Sequence, residues 1–135
     1  MTDCEFCQVV RDYNEKRLVA NENRVVAFLD EHPATRGHTL VVPKSHHESL
    51  LLADESLVRD VYRTVQRVAN ALHRTLNPAG FSTFYTSADL VGNVTHAHVH
   101  LIPRYENDDV HVALTREHLD SARAEDLTRR LRDRL

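Results

Sequence analysis

The sequence predicts an α+β fold: an antiparallel β-sheet with one long packed helix and a C-terminal helix. Three observations predict it. Short β-branched and aromatic runs at 24–30, 38–44 and 81–85 lie between Pro-, Gly- and polar-rich turns, as strands do. Between 54 and 76, Leu57, Val61, Val65, Val68, Leu72 and Leu76 recur at three- and four-residue steps, which is one stripe of a helix. Finally, His96-Ala97-His98-Val99-His100-Leu101-Ile102-Pro103-Arg104 alternates imidazole with small or apolar side chains. A strand sends successive side chains to opposite faces, so His96, His98 and His100 share one face and Ala97, Val99 and Leu101 the other. On a helix the same residues would fan out around the circumference. Pro103, which offers no ladder donor, is expected to end this strand, with Arg104 bringing a fixed positive charge near the last histidine.

A chain of 135 residues, 41% hydrophobic and 27% charged, is expected to form one domain with a real core. No apolar run approaches a membrane span, and the N-terminus lacks a basic-then-apolar leader pattern, so a cytoplasmic protein with no membrane partner is expected. The formal charge of −3 argues against a non-specific nucleic-acid binder but leaves room for a small anionic ligand held by a local cluster. Two cysteines do not make a disulfide framework.

In chain order, Cys4-Glu5-Phe6-Cys7 is a CxxC with no strand before it, which favours metal over redox work. Structural zinc takes four Cys or His ligands, so two histidines must complete such a site. The candidates are His46, His47 and His96. Residues 9–19 have mixed polarity, with a turn expected near Asn14. The strand at 24–30 ends on Asp30, whose carboxylate either solvates the strand end or accepts hydrogen bonds from a ligand. After the turn-rich 31–37, His38 opens the second strand and Lys44, a solvated charge, closes it. Asn77-Pro78-Ala79-Gly80 stops the long helix. Val110-His111-Val112 reads as a short edge strand, and 122–135 as a helix with Leu127, Leu131 and Leu135 at four-residue steps. Its arginines, offset by Glu125, Asp126 and Asp133, read as a solvated face.

The alternation at 96–102 resembles the signature of the histidine triad (HIT) family of nucleotide hydrolases and transferases, His-x-His-x-His followed by two apolar residues. Gly37-His38-Thr39-Leu40-Val41-Val42-Pro43-Lys44 matches that family's second recognisable block, and the CxxC is similar to its zinc-bearing bacterial-type branch. The resemblance runs from Cys4 to about Tyr105. It implies one HIT-like domain over 1–135: an N-terminal zinc-binding segment (1–20), a core (24–105), and a C-terminal tail and helix (106–135). It also implies a homodimer with a continuous sheet, one structural zinc per chain on Cys4, Cys7, His46 and His96, and no organic cofactor. His47 stays open as the third zinc ligand. Asp30 is implied to hold ribose hydroxyls, and His38 to lie near the nucleophile.

The implied activity is cleavage of a nucleoside monophosphate from a leaving group, such as a dinucleoside polyphosphate or a nucleoside phosphoramidate. The step is attack by an imidazole nitrogen, giving a covalent nucleotidyl-histidine. By resemblance the nucleophile is His98. His100 then donates to the non-bridging oxygens, Gly92 and Asn93 supply phosphate donors, and Arg104 is a further candidate for the phosphates. The chain departs from the family between 86 and 95, where the usual Gly-Gln pair before the first histidine becomes Gly92-Asn93. That substitution motivates an alternative, a nucleotide-binding regulatory module with a weakened triad. A third reading, a catalytic metal centre on the three histidines, lacks a paired acid to serve as general base.

Overall fold

The computed structural model describes residues 4–11, 16–87 and 96–135. Along the chain run α1 (Glu5–Arg11), β1 (Leu18–Asn21), β2 (Val25–Leu29), β3 (Thr39–Pro43), a single 3-10 turn (Leu50–Leu52), α2 (Glu55–Leu76), β4 (Gly80–Phe84), β5 (Val99–Arg104) and α3 (Ser121–Arg132). The strands form one sheet in the order β1-β2-β3-β5-β4, with every neighbouring pair antiparallel.

Period two decides what each face of this sheet carries. Val25 and Ala27 of β2, Val41 of β3, and Val99 and Leu101 of β5 pack against Leu57, Val61, Val65, Val68 and Leu72 of α2. The alternate residues Val26, Phe28, Leu40 and Val42 face the other way and cluster with Phe6 of α1. Both faces of the central strands are therefore covered, which is why they read as unbroken apolar runs. His98 and His100 are on the α1 face, by the same parity that sends Val99 and Leu101 into the α2 core. The expected helical stripe is the buried face of α2. This helix ends at Asn77, whose φ of 48° closes it in a left-handed cap, its N–H bonded to the carbonyl of His73.

The histidine segment differs from its expected outline at both ends. Only Val99–Arg104 is ladder-paired, so His96, Ala97 and His98 precede the strand. The cause is Pro43. Continuing the β3–β5 register of Val41↔Val99 would set Pro43 opposite Ala97, and proline has no N–H to give. The N–H of Ala97 instead bonds the carbonyl of His47 at 2.6 Å. At the far end Pro103 does not stop the strand, because β5 continues through Pro103 and Arg104 against Phe81 and Gly80. Its backbone faces the β3 side, beyond Thr39, where the Thr35 hydroxyl donates to the Pro103 carbonyl at 2.6 Å. The missing N–H therefore falls where no ladder bond is required.

Val110-His111-Val112, expected as an edge strand, has no strand structure. Among the described residues the segment has no strand partner in the sheet, and it forms an irregular strap after β5. Conversely, α1 and β1 occupy a stretch where no regular element is expected. The turn expected at Asn14 lies outside the described residues.

Candidate active site

The three histidines are chemically distinguished by what holds the second nitrogen of each ring. Nε2 of the fully buried His96 lies 2.8 Å from the carbonyl oxygen of Pro43. A carbonyl only accepts, so the proton sits on Nε2 and Nδ1 carries the lone pair. For His98 the pattern is inverted. Its Nδ1 donates to the carbonyl of His96 at 2.8 Å, which leaves the lone pair on Nε2. Phe6 stands edge-on to the His98 ring, with centroids 4.9 Å apart and planes at 90°, and holds the ring from the α1 side.

His100 is set by His38. The N–H of Ala34 donates to Nδ1 of His38 at 2.9 Å, so the His38 proton is on Nε2. That Nε2–H donates in turn to Nδ1 of His100 at 2.9 Å. The remaining proton of a neutral His100 is therefore on its Nε2. Burial first, then the neighbouring His98 and His38 imidazoles, lowers the His100 pKa to about 4, against a partial pull upward from Asp30. Burial also lowers the pKa of His38, again opposed by Asp30. Both rings are thus held neutral near pH 7, as this hydrogen-bond chain requires.

At the other end of the segment, Nδ1 of His96 points at two thiols, 3.5 Å from Sγ of Cys4 and 3.3 Å from Sγ of Cys7. Nδ1 of His46 is also 3.3 Å from Sγ of Cys7. The four ligand atoms all lie within 4.8 Å of one another. A tetrahedral zinc, about 2.3 Å from sulfur and about 2.0–2.1 Å from nitrogen, sets S and N ligands about 3.5 Å apart. The donor set and its spacing fit that ion. Burial, and then the neighbouring His46, His98 and His47, keeps the His96 pKa low and its ring neutral, as ligation demands; the Pro43 carbonyl acts the other way. His46 and not His47 offers its ring here; His47 gives its backbone carbonyl to Ala97.

Asp30, His38 and His100 form a second convergent group, with Oδ2 of Asp30 3.5 Å from Nε2 of His38. A metal on Nε2 of His38 would meet a ring whose Nδ1 already accepts the Ala34 N–H. The ligand would then be an imidazolate. The geometry suits a proton-bearing link better than a metal centre. Oδ1 of Asp30 accepts the N–H of His32 at 2.8 Å, which fixes the carboxylate at the end of β2.

The HIT domain family model matches residues 11–107. This chain belongs to the histidine triad family. It is 33% identical over 126 residues to the protein named hit of Bacillus subtilis, covering 93% of this chain and 87% of that one. It is 29% identical over 107 residues to the adenylylsulfatase HINT3 of Arabidopsis thaliana, covering 78% of this chain and 54% of the relative. The crystal structure of SMU.412c from Streptococcus mutans superposes with a TM-score of 0.90 at 30% identity, over 99% of this chain and 86% of that one. A zinc-bound histidine triad protein from Mycobacterium smegmatis superposes with a TM-score of 0.72 at 28% identity, over 94% and 91% of the two chains.

In this triad protein a cavity beside the second and third histidines measures about 400 Å³ and is lined by His98 and His100 together with Phe84, Thr86, Ile102, His111, Val112 and Ala113. The last three belong to the strap after β5, whose contribution has no periodic signal in the sequence. Arg104 is not among the described residues that line this cavity. Its guanidinium donates to both carboxylate oxygens of Asp108 at 2.8 and 2.9 Å, to Oγ of Ser82 at 3.0 Å, and to the carbonyl of Val110 at 3.0 Å. These bonds hold the Asp108 carboxyl well below the usual carboxylate range and anchor the strap. Gly92 and Asn93 lie outside the described residues.

Proposed function

We propose that this protein cleaves a nucleoside monophosphate from a leaving group through a covalent nucleotidyl-histidine on Nε2 of His98, as a nucleotide hydrolase or nucleotidyl transferase. The observation that carries the reading is the hydrogen bond from Nδ1 of His98 to the His96 carbonyl, which makes Nε2 a lone-pair nucleophile beside the cavity. In the first step the Nε2 pair forms a bond to phosphorus, and the bond from phosphorus to the leaving group breaks. The leaving atom departs with that electron pair and takes up a proton. Water or another acceptor then attacks phosphorus, the N–P bond breaks, and His98 is regenerated. The Nε2–H of His100 donates to the non-bridging oxygens, where charge builds. Asp30 accepts from the ribose hydroxyls, and Gly92 and Asn93 supply further donors to the phosphate.

The strap-side lining favours an uncharged leaving group, such as the amine of a nucleoside phosphoramidate, over a nucleoside polyphosphate. Among the described lining residues none is Lys or Arg, while Phe84, Ile102 and Val112 are apolar. Cys4, Cys7, His46 and His96 would hold a zinc ion whose ligand shell is filled by protein, so it would brace the segment and not polarise substrate. The reading includes a homodimer. It is supported by α3, which buries no residue within the chain and leaves Leu127 and Leu131 each 54% exposed.

The test is intact-protein mass after brief mixing with adenosine phosphoramidate and with diadenosine polyphosphates, on wild type and His98→Ala. A transient adenylyl adduct on wild type alone is expected. Turnover by His98→Ala at near-normal rate sinks the mechanism. Nucleotide binding with neither adduct nor turnover selects the regulatory-module reading, which the Gly92-Asn93 pair motivates.

A further inference from the structure

We propose that His38 couples the nucleoside end of the site to the phosphate end: Asp30 and His100 compete for one proton donor, Nε2–H of His38, and a vicinal diol bound at Asp30 delivers that donor to His100. The inference rests on the reading of Asp30 as the ribose site and adds a role for His38.

The competition follows from valence. A neutral imidazole has one N–H. Nδ1 of His38 already accepts from Ala34, so Nε2–H is the only donor this ring offers. Two acceptors face it, Nδ1 of His100 at 2.9 Å and Oδ2 of Asp30 at 3.5 Å. His38 is only 6% exposed, so solvent has little access with which to supply a second partner. Asp30 is tied by the His32 N–H at Oδ1, which leaves Oδ2 as the oxygen turned toward His38.

The consequence for His100 is a choice of tautomer. When His38 donates to Nδ1 of His100, the His100 proton must be on Nε2, and the ring presents a donor to the phosphate. When His38 turns its proton to Asp30, Nδ1 of His100 is released, and the His100 proton is free to move there. The ring then presents a lone pair to phosphate oxygens, which repels the developing charge instead of stabilising it. Ribose hydroxyls that donate to Asp30 spread its negative charge into their own hydrogen bonds. They weaken its hold on His38 and favour the productive tautomer. The diol is thereby read in the chemical step as well as in binding.

The size of the effect is bounded by the donor itself. Complete loss of one donor to developing charge costs about 10²–10³ in kcat. A partial shift between tautomers should cost about tenfold. The first readout is spectroscopic: ¹⁵N-edited NMR of the His100 ring in wild type saturated with adenosine or with 2′,3′-dideoxyadenosine. Adenosine is expected to raise the Nε2–H population of His100 and the dideoxy compound to leave it unchanged. Equal populations in the two saturated samples overturn the coupling, as does failure of adenosine to bind at millimolar concentration.

The second readout is kinetic, with ribo- and 2′,3′-dideoxyadenosine phosphoramidates. Loss of the diol is expected to lower kcat about tenfold in wild type, less in His38→Gln, whose amide keeps a donor, and not at all in His38→Met. An undiminished kcat penalty in His38→Met refutes the link through His38. If His38→Met does not fold, the wild-type spectra decide alone. The spectra need only binding, so a tautomer shift without any covalent adduct supports the coupling and sinks the hydrolase reading. An adduct without a shift does the reverse.

Discussion

Replacing Cys7 by serine tests the proposed zinc clamp and, through it, the placement of His98, the proposed nucleophile. Sγ of Cys7 is 3.3 Å from both Nδ1 of His46 and Nδ1 of His96, so it spans the two histidines proposed as ligands. Serine keeps the shape but loses the thiolate, leaving a site of three ligands. A metal that binds only the folded chain stabilises it by RT ln(1 + [L]/Kd), about 2.7 kcal/mol when free zinc is a hundred times Kd. For a domain of this size each kcal/mol moves the melting temperature by about 3–5 °C, so loss of the ion lowers Tm by about 10 °C. The assay is zinc content by elemental mass spectrometry, with thermal unfolding followed by circular dichroism with and without chelator. Wild type should hold one zinc per chain and melt about 10 °C lower in chelator. Cys7→Ser should start low and ignore the chelator. The His98 ring gives a local readout, because its Nδ1 donor bond ends on the carbonyl of His96 and Phe6 of α1 packs against it at right angles. Its ¹⁵N shifts should broaden or move when zinc is removed. Wild type that binds no zinc at micromolar free metal, or a melting temperature that chelator leaves untouched, refutes the reasoning.

Two further predictions bear on the scaffold and on the charge state of the site. Gly37 has φ of +95°, and a Cβ there would come within 2.9 Å of Leu76 Cδ1, 3.1 Å of Leu72 Cδ2 and 3.1 Å of Pro103 Cγ. Gly37→Ala should lower stability by about 2–4 kcal/mol in urea unfolding, from backbone strain and overpacking together; an unchanged midpoint would contradict the packing. His100 should titrate near pH 4 by NMR, its ring facing His98 and His38 with Asp30 opposing, and a midpoint near 6.5 would refute the burial argument. Because the folded value lies below the unfolded one, the unfolded chain takes up the proton first as pH falls. Stability is therefore full above about 6.5 and declines toward pH 4.

Much of the fold was legible because its elements are long or covered on both faces. The α2 stripe is periodic over the helix's full length, and β2 and β3 are unbroken apolar runs closed by turns. In β5, parity alone separates the imidazole face from Val99 and Leu101. The limits of that strand were not legible, since they depend on partners: Pro43 on the next strand ends the ladder early, while Pro103 meets the Thr35 hydroxyl where no ladder bond is needed. α1 is seven residues long, too short for a helical period to show, and Phe6 rests on a sheet face formed by Val26, Phe28, Leu40 and Val42. That His46 rather than His47 brings its ring beside Cys7 follows from the irregular path after β3, which has no period to read in the sequence. The use of His38 as a donor to His100 joins β3 to β5, a relation that only the sheet order creates.

The triad shows how three copies of one residue in one short segment present three different groups to their surroundings. The Pro43 carbonyl holds Nε2–H of His96 and frees Nδ1 toward the thiols. One step along, the His96 carbonyl holds Nδ1–H of His98 and frees Nε2. Two residues further, a donor replaces the acceptor: His38 fills Nδ1 of His100, and the ring keeps its proton on Nε2. Lone pair toward the thiols, lone pair beside the cavity and N–H beside the cavity thus follow from a carbonyl, a carbonyl and an imidazole. Of these three partners only His38 is a side chain. The first two forms depend on backbone path and should survive most substitutions that preserve the fold. The third is open to a single mutation and to a competing acceptor. This makes His100, not the proposed nucleophile His98, the point at which the site can be tuned.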